Sequence, residues 1–338
     1  MSYCYAEMTR NDRQRKVFTM ENMPPSTSAL ADGKYYRHRL PVRITHWTNV
    51  ICLSVLFMSG LGIFNAHPYL YWGKSSYTGR PPLLAIVARN EAAAPANGAA
   101  PPHGTSPADG ASPAASGGKK GILRILGHEF DTTGVLGVSS SDGEVRQRAF
   151  PGWLTVPGSY SLAASRLWHF FFAWLFVING AVYLLHAILS GHLRRDLAPD
   201  ARELRGVPAS IREHLKFRHP RGEAARRYNV LQKLAYLSVI FILLPLVILM
   251  GMAMSPMLDT VLPGWVDWFG GRQSARTIHF IVAFLLLAFV LIHVFEVLIS
   301  GVWNQLRSML TGYYVTPPDV THVTHATHVT EVEHKERP

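Results

Sequence analysis

Cysteine is almost absent from this sequence, which has two cysteines, Cys4 and Cys52, in 338 residues. No CxxCH motif is present, so the chain has no attachment site for a c-type haem. Two cysteines are also too few for a cysteine-ligated iron–sulfur cluster or a cysteine-based zinc site, and at this distance they give no disulfide framework. The redox and metal chemistry that depends on clustered cysteines is therefore excluded.

Acidic residues are also scarce, with 22 Asp and Glu against 33 Lys and Arg and a formal net charge of +11. In a soluble protein this balance would suggest a nucleic-acid partner. Here 48% of the residues are hydrophobic, and they are concentrated in blocks of twenty or more, which is typical of membrane spans joined by basic loops.

The sequence has no Ser/His/Asp set and no Gly-rich phosphate loop, so it offers no site for substrate chemistry. Residues 1–43 lack the apolar core and cleavage site of a signal peptide, so we expect none there.

The hydrophobic blocks predict four transmembrane helices in an all-α integral membrane protein. Pro245 falls inside the third helix and should kink it. The predicted spans are 44–64, 167–189, 230–254 and 277–300, within a four-helix domain over 43–315. We expect a basic, mostly disordered N-terminus over 1–42, a low-complexity Ala/Pro/Gly/Ser insertion over 91–118 and a disordered His-rich tail over 316–338.

The distribution of Lys and Arg predicts the orientation. The stretch 191–229 carries ten Lys/Arg against five Asp/Glu, whereas 255–276 has only Arg272 and Arg276. Because cytoplasmic loops carry the excess of basic residues, we expect both termini and 191–229 in the cytoplasm. The loops 65–166 and 255–276 would then face the other side of a bacterial inner membrane.

Two histidines in the fourth span, His279 and His293, are 14 residues apart. Fourteen residues turn an α-helix by about 1400°, about 40° short of four full turns, so both rings leave nearly the same face about 21 Å apart along the axis. Polar residues in such a helix are costly and usually functional. One histidine near each leaflet suits a helix that carries two stacked metal centres, although two structural hydrogen bonds would give the same pattern.

Two further histidines match these depths. His46 lies near the cytoplasmic start of the first span, at the level of His293, and His169 lies near the outer start of the second, at the level of His279. Each pair can clamp one haem iron by its imidazole nitrogens, which is coordination suited to electron transfer. The sequence therefore predicts a four-helix bundle enclosing two b haems, with the pairs His46/His293 and His169/His279.

An arginine stands three residues before three of these histidines: Arg43, Arg166 and Arg276 precede His46, His169 and His279. Residues three apart share a helix face, so each guanidinium lies one turn nearer the surface. There it can pair with a haem propionate, because its geometry matches a carboxylate. The alternative is that arginine marks the point where each helix leaves the lipid.

His186 is the alternative ligand to His46. It is 17 residues after His169, which places it about 100° away from the His169 face. Glu296, one turn after His293, either accepts a hydrogen bond from an imidazole or reaches water at the helix end. Other histidines are expected in loops or in the solvated tail: His67, His128, His322, His325, His328 and His334.

These residues resemble the bacterial cytochrome b561 / Ni,Fe-hydrogenase b-type cytochrome family, and especially its cytochrome b/b6-domain or thiosulfate-reductase-type membrane subunits. The resemblance covers about 40–84 and 121–315. The segments that carry it are RLPVRITHWTN, HPYLYWG, SRLWHFFFAWLFVINGAVYLL, the span Tyr228–Pro256 and SARTIHFIVAFLLLAFVLIHVFEVLISG. The insertion 91–118 and the His-rich tail depart from the pattern.

The resemblance implies a subunit with two b haems that passes electrons between the quinone pool and a partner redox subunit. Its ligand pattern corresponds to His46, His169, His279 and His293. The implied partner is a periplasmic molybdopterin oxidoreductase, with a Ni,Fe-hydrogenase as the alternative. Two other classes stay open from the sequence: a transporter whose histidines relay protons, and a passive membrane anchor.

Overall fold

The computed structural model describes residues 34–76, 79–90, 119–141, 144–158, 160–191, 193, 198–215 and 230–315. They fall into two compact units, one made of 34–43 with 297–315 and the other of the described residues between 44 and 296. Residues 1–33, the predicted insertion 91–118 and the predicted tail 316–338 lie outside the described residues.

Within the described residues, four helices are long and apolar enough to cross a membrane. They are called spans 1 to 4: α1 Leu40–Phe64, α2 Leu162–Leu189, α5 Val230–Ala253 and α7 Arg272–Ile299. The shorter helices are α3 Ala201–Arg205, α4 Val207–Leu215, α6 Pro256–Val261 and α8 Val302–Thr311, with 3₁₀ turns at Gly152–Leu154 and Trp265–Phe269. The prediction of a helical membrane protein with four spans is confirmed.

Spans 1, 2 and 4 begin several residues before their predicted starts. The residues before the predicted starts include Arg43, Arg166 and Arg272, which a hydrophobicity criterion excludes but which are helical. The four spans expose large apolar side chains over most of their surface, as expected of helices that face lipid.

Span 3 departs from regular α-helix next to its proline. Val239–Leu243 is π-helical and is followed directly by Leu244–Ala253 in α-helical form, with Pro245 in the first turn. Proline lacks the N–H of the regular helix bond and clashes with the carbonyl four residues earlier. The wider π turn accommodates both effects, at the place where the sequence predicts a kink.

The loop between spans 1 and 2 is folded into β-structure, so the all-α expectation is wrong for this part of the chain. Its strands are β2 Tyr69–Leu70, β3 Leu84–Asn90, β4 Lys119–Ile125, β5 His128–Asp131, β6 Gly137–Ser141 and β7 Glu144–Arg148. The first four form an antiparallel sheet in the order β2-β3-β4-β5, and β6 pairs with β7 in a separate two-stranded sheet. His128, expected in a loop, is the first residue of β5.

The insertion 91–118 explains why the sequence does not reveal this sheet. Strands β3 and β4 pair from Leu84↔Ile125 to Asn90↔Lys119, so the insertion connects two directly paired strand ends. A hairpin interrupted by so many residues gives no turn signal between its strands.

On the exposed side of the sheet, Glu129 accepts hydrogen bonds from Arg89 and Arg124, and these bonds lower the pKa of its carboxyl group to about 2.

The β-structured loop packs on the end of span 1. Leu61 and Phe64 of the span form a buried cluster with Leu70, Ile86, Ala149 and Phe150 of the loop. Asn65 extends this contact, because its side chain donates to the Phe150 carbonyl (3.0 Å) and accepts from the Phe150 N–H (2.7 Å). The side-chain amide of Asn65 thus pairs with the backbone of Phe150 in the way that a neighbouring strand would.

In the other unit, β1 Lys34–Tyr36 pairs antiparallel with β8 Tyr313–Val315. The side chain of Asn304 in α8 donates to the Val315 carbonyl (2.6 Å) and accepts from the Val315 N–H (3.0 Å). Residues 34–42 were expected in the mostly disordered N-terminus. Instead they form a strand and the start of span 1. The strand was not predicted because its pairing partner lies almost 280 residues later, beyond the reach of local sequence patterns.

Candidate functional site

Two pairs of histidines meet between the spans. The loop-side pair, His169 of span 2 and His279 of span 4, lies near the helix ends that adjoin the β-structured loop. The termini-side pair, His46 of span 1 and His293 of span 4, lies near the opposite ends. The structure therefore brings together the same residues that the depth argument pairs.

The loop-side pair has ring centroids 6.3 Å apart with an interplanar angle of 62°. Nδ1 of His279 lies 2.9 Å from the carbonyl oxygen of Val247 in span 3. Because a carbonyl only accepts, that nitrogen carries the proton. Its Nε2 is then the ring nitrogen with a free lone pair, the form that binds a metal.

His169 is fixed in the same way from span 1. Its Nδ1 lies 3.1 Å from Oγ of Ser59, and that hydroxyl donates its own hydrogen to the Val55 carbonyl at 2.6 Å. The hydroxyl therefore accepts from Nδ1–H, and Nε2 of His169 also keeps its lone pair. Hydrogen bonds of this kind orient metal-binding histidines and increase their basicity.

Each loop-side ring also lies against a glycine of the neighbouring helix. A Cβ added at Gly60 would be 3.5 Å from Cε1 of His169, and one added at Gly251 would be 3.4 Å from Cε1 of His279. Gly60 follows Ser59 directly, and Gly251 is one turn after Val247. The two rings are thus held by equivalent features, a hydrogen-bond acceptor and a glycine, on spans 1 and 3.

The termini-side pair has the same centroid separation, 6.3 Å, with an interplanar angle of 71°. Phe289, one turn before His293, stacks on its ring with centroids 6.1 Å apart and an angle of 12°. Span 2 is joined to span 1 beside this pair, because Nδ2 of Asn179 donates to the Thr45 carbonyl (2.9 Å) and to Oδ1 of Asn49 (2.7 Å).

The separation of the rings suits two imidazoles on opposite sides of one metal. A metal–imidazole bond is about 2.0–2.1 Å long, so the 6.3 Å between the ring centroids of each pair would leave room for one metal atom between the two histidines. Among the described residues, no cluster of three or more His, Cys, Asp or Glu could hold a metal ion by itself. Two histidines would suffice to hold a haem, because its porphyrin supplies the other ligands to the iron, and the haem would supply one-electron redox chemistry.

A segment of the loop, residues 67–73, covers the start of span 4. The Gly73 carbonyl accepts from the N–H groups of Gln273 and Ser274, which would otherwise be unsatisfied at the helix N-terminus. Thr277 donates to the Tyr71 carbonyl at 2.7 Å, and this fixes the helix two residues before His279. Gly73 has φ of 115°, so only glycine adopts this turn without strain.

The three predicted arginines have different surroundings. Arg276 is half-buried, and its one hydrogen bond within the described part of the chain goes to the His67 carbonyl at 2.6 Å. Most of its N–H groups thus remain available to an anion. Arg43 contacts the Met309 carbonyl at 3.4 Å, and Arg166 is exposed with its guanidinium over the ring of Phe170.

His186, the alternative ligand, makes no ring contact with His46 or His293 within the described residues, and its Nε2 is buried without a hydrogen-bond partner there. His67 lies in a loop, as predicted, and Glu296 is half-buried near the end of span 4. The tail histidines lie outside the described residues.

Four residues that hold the loop-side rings are not among those predicted from the sequence: Ser59, Gly60, Val247 and Gly251. Small residues in membrane spans mark close helix contacts, so the Ser59–Gly60 dipeptide and Gly251 carried a usable signal. Val247 contributes only its backbone and has no such signal.

Four membrane-spanning helices with paired histidines between them define a class, the helical membrane cytochromes of the b type. The chain belongs to the prokaryotic cytochrome b561 family, whose pattern it matches over residues 127–312, more than half of its length. It is a membrane b-type cytochrome that carries b-type haem and serves electron transfer as a subunit of an oxidoreductase.

A curated relative agrees with this assignment. The chain is 33% identical over 156 residues to a protein of Azospira oryzae named as a protein-methionine-sulfoxide reductase subunit, YedZ1. The aligned part covers 45% of this chain and 73% of the relative. No solved structure matches the chain.

Proposed function

We propose that the chain holds two b-type haems, one on each histidine pair, and that it passes electrons between the quinone pool and a partner redox subunit. The observation that carries this proposal is the equal 6.3 Å separation of two histidine pairs at two depths of span 4. When bound, the two haems supply one-electron couples on both sides of the bundle.

The chain's own residues would hold and orient the haems and would neutralise the negative charge of their propionates. His169 and His279 present unprotonated Nε2 atoms because their Nδ1 protons are donated to Ser59 and Val247. Arg276, with free N–H groups near the loop-side pair, would pair with a haem propionate. Arg43 and Arg166 are assigned the same role from the sequence pattern.

The proposed partner is a periplasmic oxidoreductase that docks on the loop side, and a molybdopterin enzyme is the class implied by the sequence resemblance. The relative's name, a subunit of a reductase, favours this partner over a Ni,Fe-hydrogenase. Membership in a cytochrome family disfavours the transporter and passive-anchor alternatives.

Optical spectroscopy tests the function directly. Protein purified in detergent is recorded air-oxidised, then with a quinol, then with dithionite. The proposal predicts sharp reduced b-type bands with both reductants. Bands that appear with dithionite but not with any quinol would leave the haem assignment standing and contradict the quinone function.

The orientation, with both termini in the cytoplasm, has a separate test. Alkaline phosphatase inserted within 91–118 should be active, and inserted after Arg205 inactive, because the enzyme folds only outside the cytoplasm. The opposite pattern would place the partner and the β-structured loop on the cytoplasmic side.

A further inference from the structure

The end of span 2 contains two buried polar atoms without partners. Nε2 of His186 and Oγ of Ser190 are both inaccessible to solvent, and neither has a hydrogen-bond partner in the described part of the chain. Buried polar groups in proteins are almost always paired, and an unpaired one costs about 1–3 kcal/mol. Two such atoms four residues apart on one helix therefore need a partner that the described residues do not supply.

The helix geometry places these two atoms on one face. Ser190 is four residues after His186, about 40° past one turn, so the two side chains are neighbours on the helix surface. Ser190 continues the helical conformation, since its N–H donates to the His186 carbonyl at 2.9 Å. A single small group can therefore contact both atoms.

The same face of span 2 points towards the interior of the bundle. Asn179, seven residues before His186 and about 20° short of two full turns from it, contacts span 1 at Thr45 and Asn49. Thr45 is adjacent to the ligand candidate His46. The unpaired atoms thus lie on the interior face of span 2, at the same end of the bundle as the termini-side pair.

The unpaired atoms of span 2 lie nearer the membrane surface than the termini-side pair. Counted from the helix ends, His186 is about 4.5 Å inside span 2, whereas His46 and His293 are each about 9 Å inside theirs. His186 thus lies about one helical turn, and Ser190 about two, nearer the membrane surface than the termini-side pair. A group entering from the lipid boundary would reach them first.

We propose that His186 and Ser190 form the hydrogen-bonding site for one oxygen of a quinone head group, an inference that rests on the proposed quinone function. The oxygen accepts as a quinone carbonyl and donates as a quinol hydroxyl. A hydroxyl and a neutral imidazole both donate and accept, so this pair satisfies either redox form. A side chain with donors only, such as lysine, would serve one form alone.

The experiment uses the full, haem-loaded chain in lipid nanodiscs. Decylubiquinol and menadiol are mixed with oxidised protein, and the rate of b-band reduction is measured by stopped flow against quinol concentration. Ser190→Ala and His186→Leu should each raise the quinol concentration for half-maximal rate by about 2- to 10-fold, the effect of one lost hydrogen bond. Haem content and the dithionite-reduced spectrum should not change.

Matched controls separate this role from a structural one. Ser300→Ala removes an exposed hydroxyl at the end of span 4 and should leave the concentration dependence unchanged. Ser190→Thr and His186→Gln keep a hydrogen-bonding group and should recover most of the wild-type affinity for at least one of the two quinols.

The outcomes are distinct. Unchanged quinol dependence in both Ser190→Ala and His186→Leu would overturn the site, because the two atoms would then serve only ordered water. Loss of a haem in His186→Leu would also overturn it and make His186 a ligand. A wild-type protein that dithionite reduces but neither quinol does would overturn the proposed quinone function itself.

Discussion

A histidine that binds haem must have the right tautomer as well as the right place. In the loop-side pair, Ser59 and the Val247 carbonyl each take the Nδ1 proton of one ring. Both acceptors lie on spans other than those that carry the histidines. Contacts between helices therefore fix the orientation of each ring separately. Loss of one histidine should leave the pair at the other end of the bundle in place.

This gives a prediction for single substitutions. His279→Ala removes one proposed haem ligand on the loop side, and about 21 Å of helix separates that position from His293. The variant should keep about one haem per chain and lose electron transfer between quinol and partner. Haem content by the pyridine haemochrome assay, together with quinol oxidation, measures both effects.

The complementary substitution is His46→Ala, which should give a second single-haem protein with its own midpoint potential. His186→Ala serves as the control for haem content only, because His186 is assigned to the quinone site, and it should keep both haems. Loss of a haem in His186→Ala, with both haems kept in His46→Ala, would show that the termini-side ligand comes from span 2.

At the scale of elements, the spans approach closely where a histidine ring faces a glycine. Cβ atoms at Gly60 and Gly251 would be in ordinary contact with His169 and His279, but the methyl groups of a larger residue would extend into the rings. Alanine should therefore be tolerated at both positions, whereas Gly60→Val and Gly251→Val should each displace one ligand and reduce haem content towards one per chain.

Gly180→Val is the matched control for this series. Gly180 is also in a span, but a Cβ there would have no neighbour within 4 Å. The backbone cost of valine against glycine is the same in all three variants, so equal haem loss in Gly180→Val would mean that ring contact is not the cause.

The loop hairpin leads to a prediction about the insertion. Because Asn90 and Lys119 are paired strand ends, residues 91–118 can be replaced by a two-residue Asn-Gly turn that closes the hairpin directly. The shortened protein should keep its haem content and its thermal unfolding temperature within a few degrees, by differential scanning fluorimetry. Loss of haem would show that the insertion contributes to the loop-side site, and loss of partner activity alone would assign it to docking.

For the whole molecule, the features that the sequence predicts are those that depend on one helix at a time. The four spans follow from hydrophobic length, and the common face of His279 and His293 follows from helical periodicity. Matching of depths then pairs these histidines with His169 and His46. These steps need no knowledge of which helices are neighbours.

The features that sequence reasoning missed depend on contacts between distant segments. The acceptor for His279 is a backbone carbonyl of span 3, which any residue at 247 would supply. The strand partners of Leu84–Asn90 lie beyond the low-complexity insertion, and those of Lys34–Tyr36 lie beyond all four spans. Local patterns contain no signal for such pairings.

Haem stoichiometry tests the central claim most directly, namely that both histidine pairs are haem sites. Full-length protein, expressed with ample haem supply and purified without loss of cofactor, is assayed by pyridine haemochrome against protein concentration from amino-acid analysis. Two sites predict a ratio close to two. A ratio close to one in fully loaded wild-type protein, unchanged by substitution of one of the two pairs, would show that this pair is structural and would contradict the account.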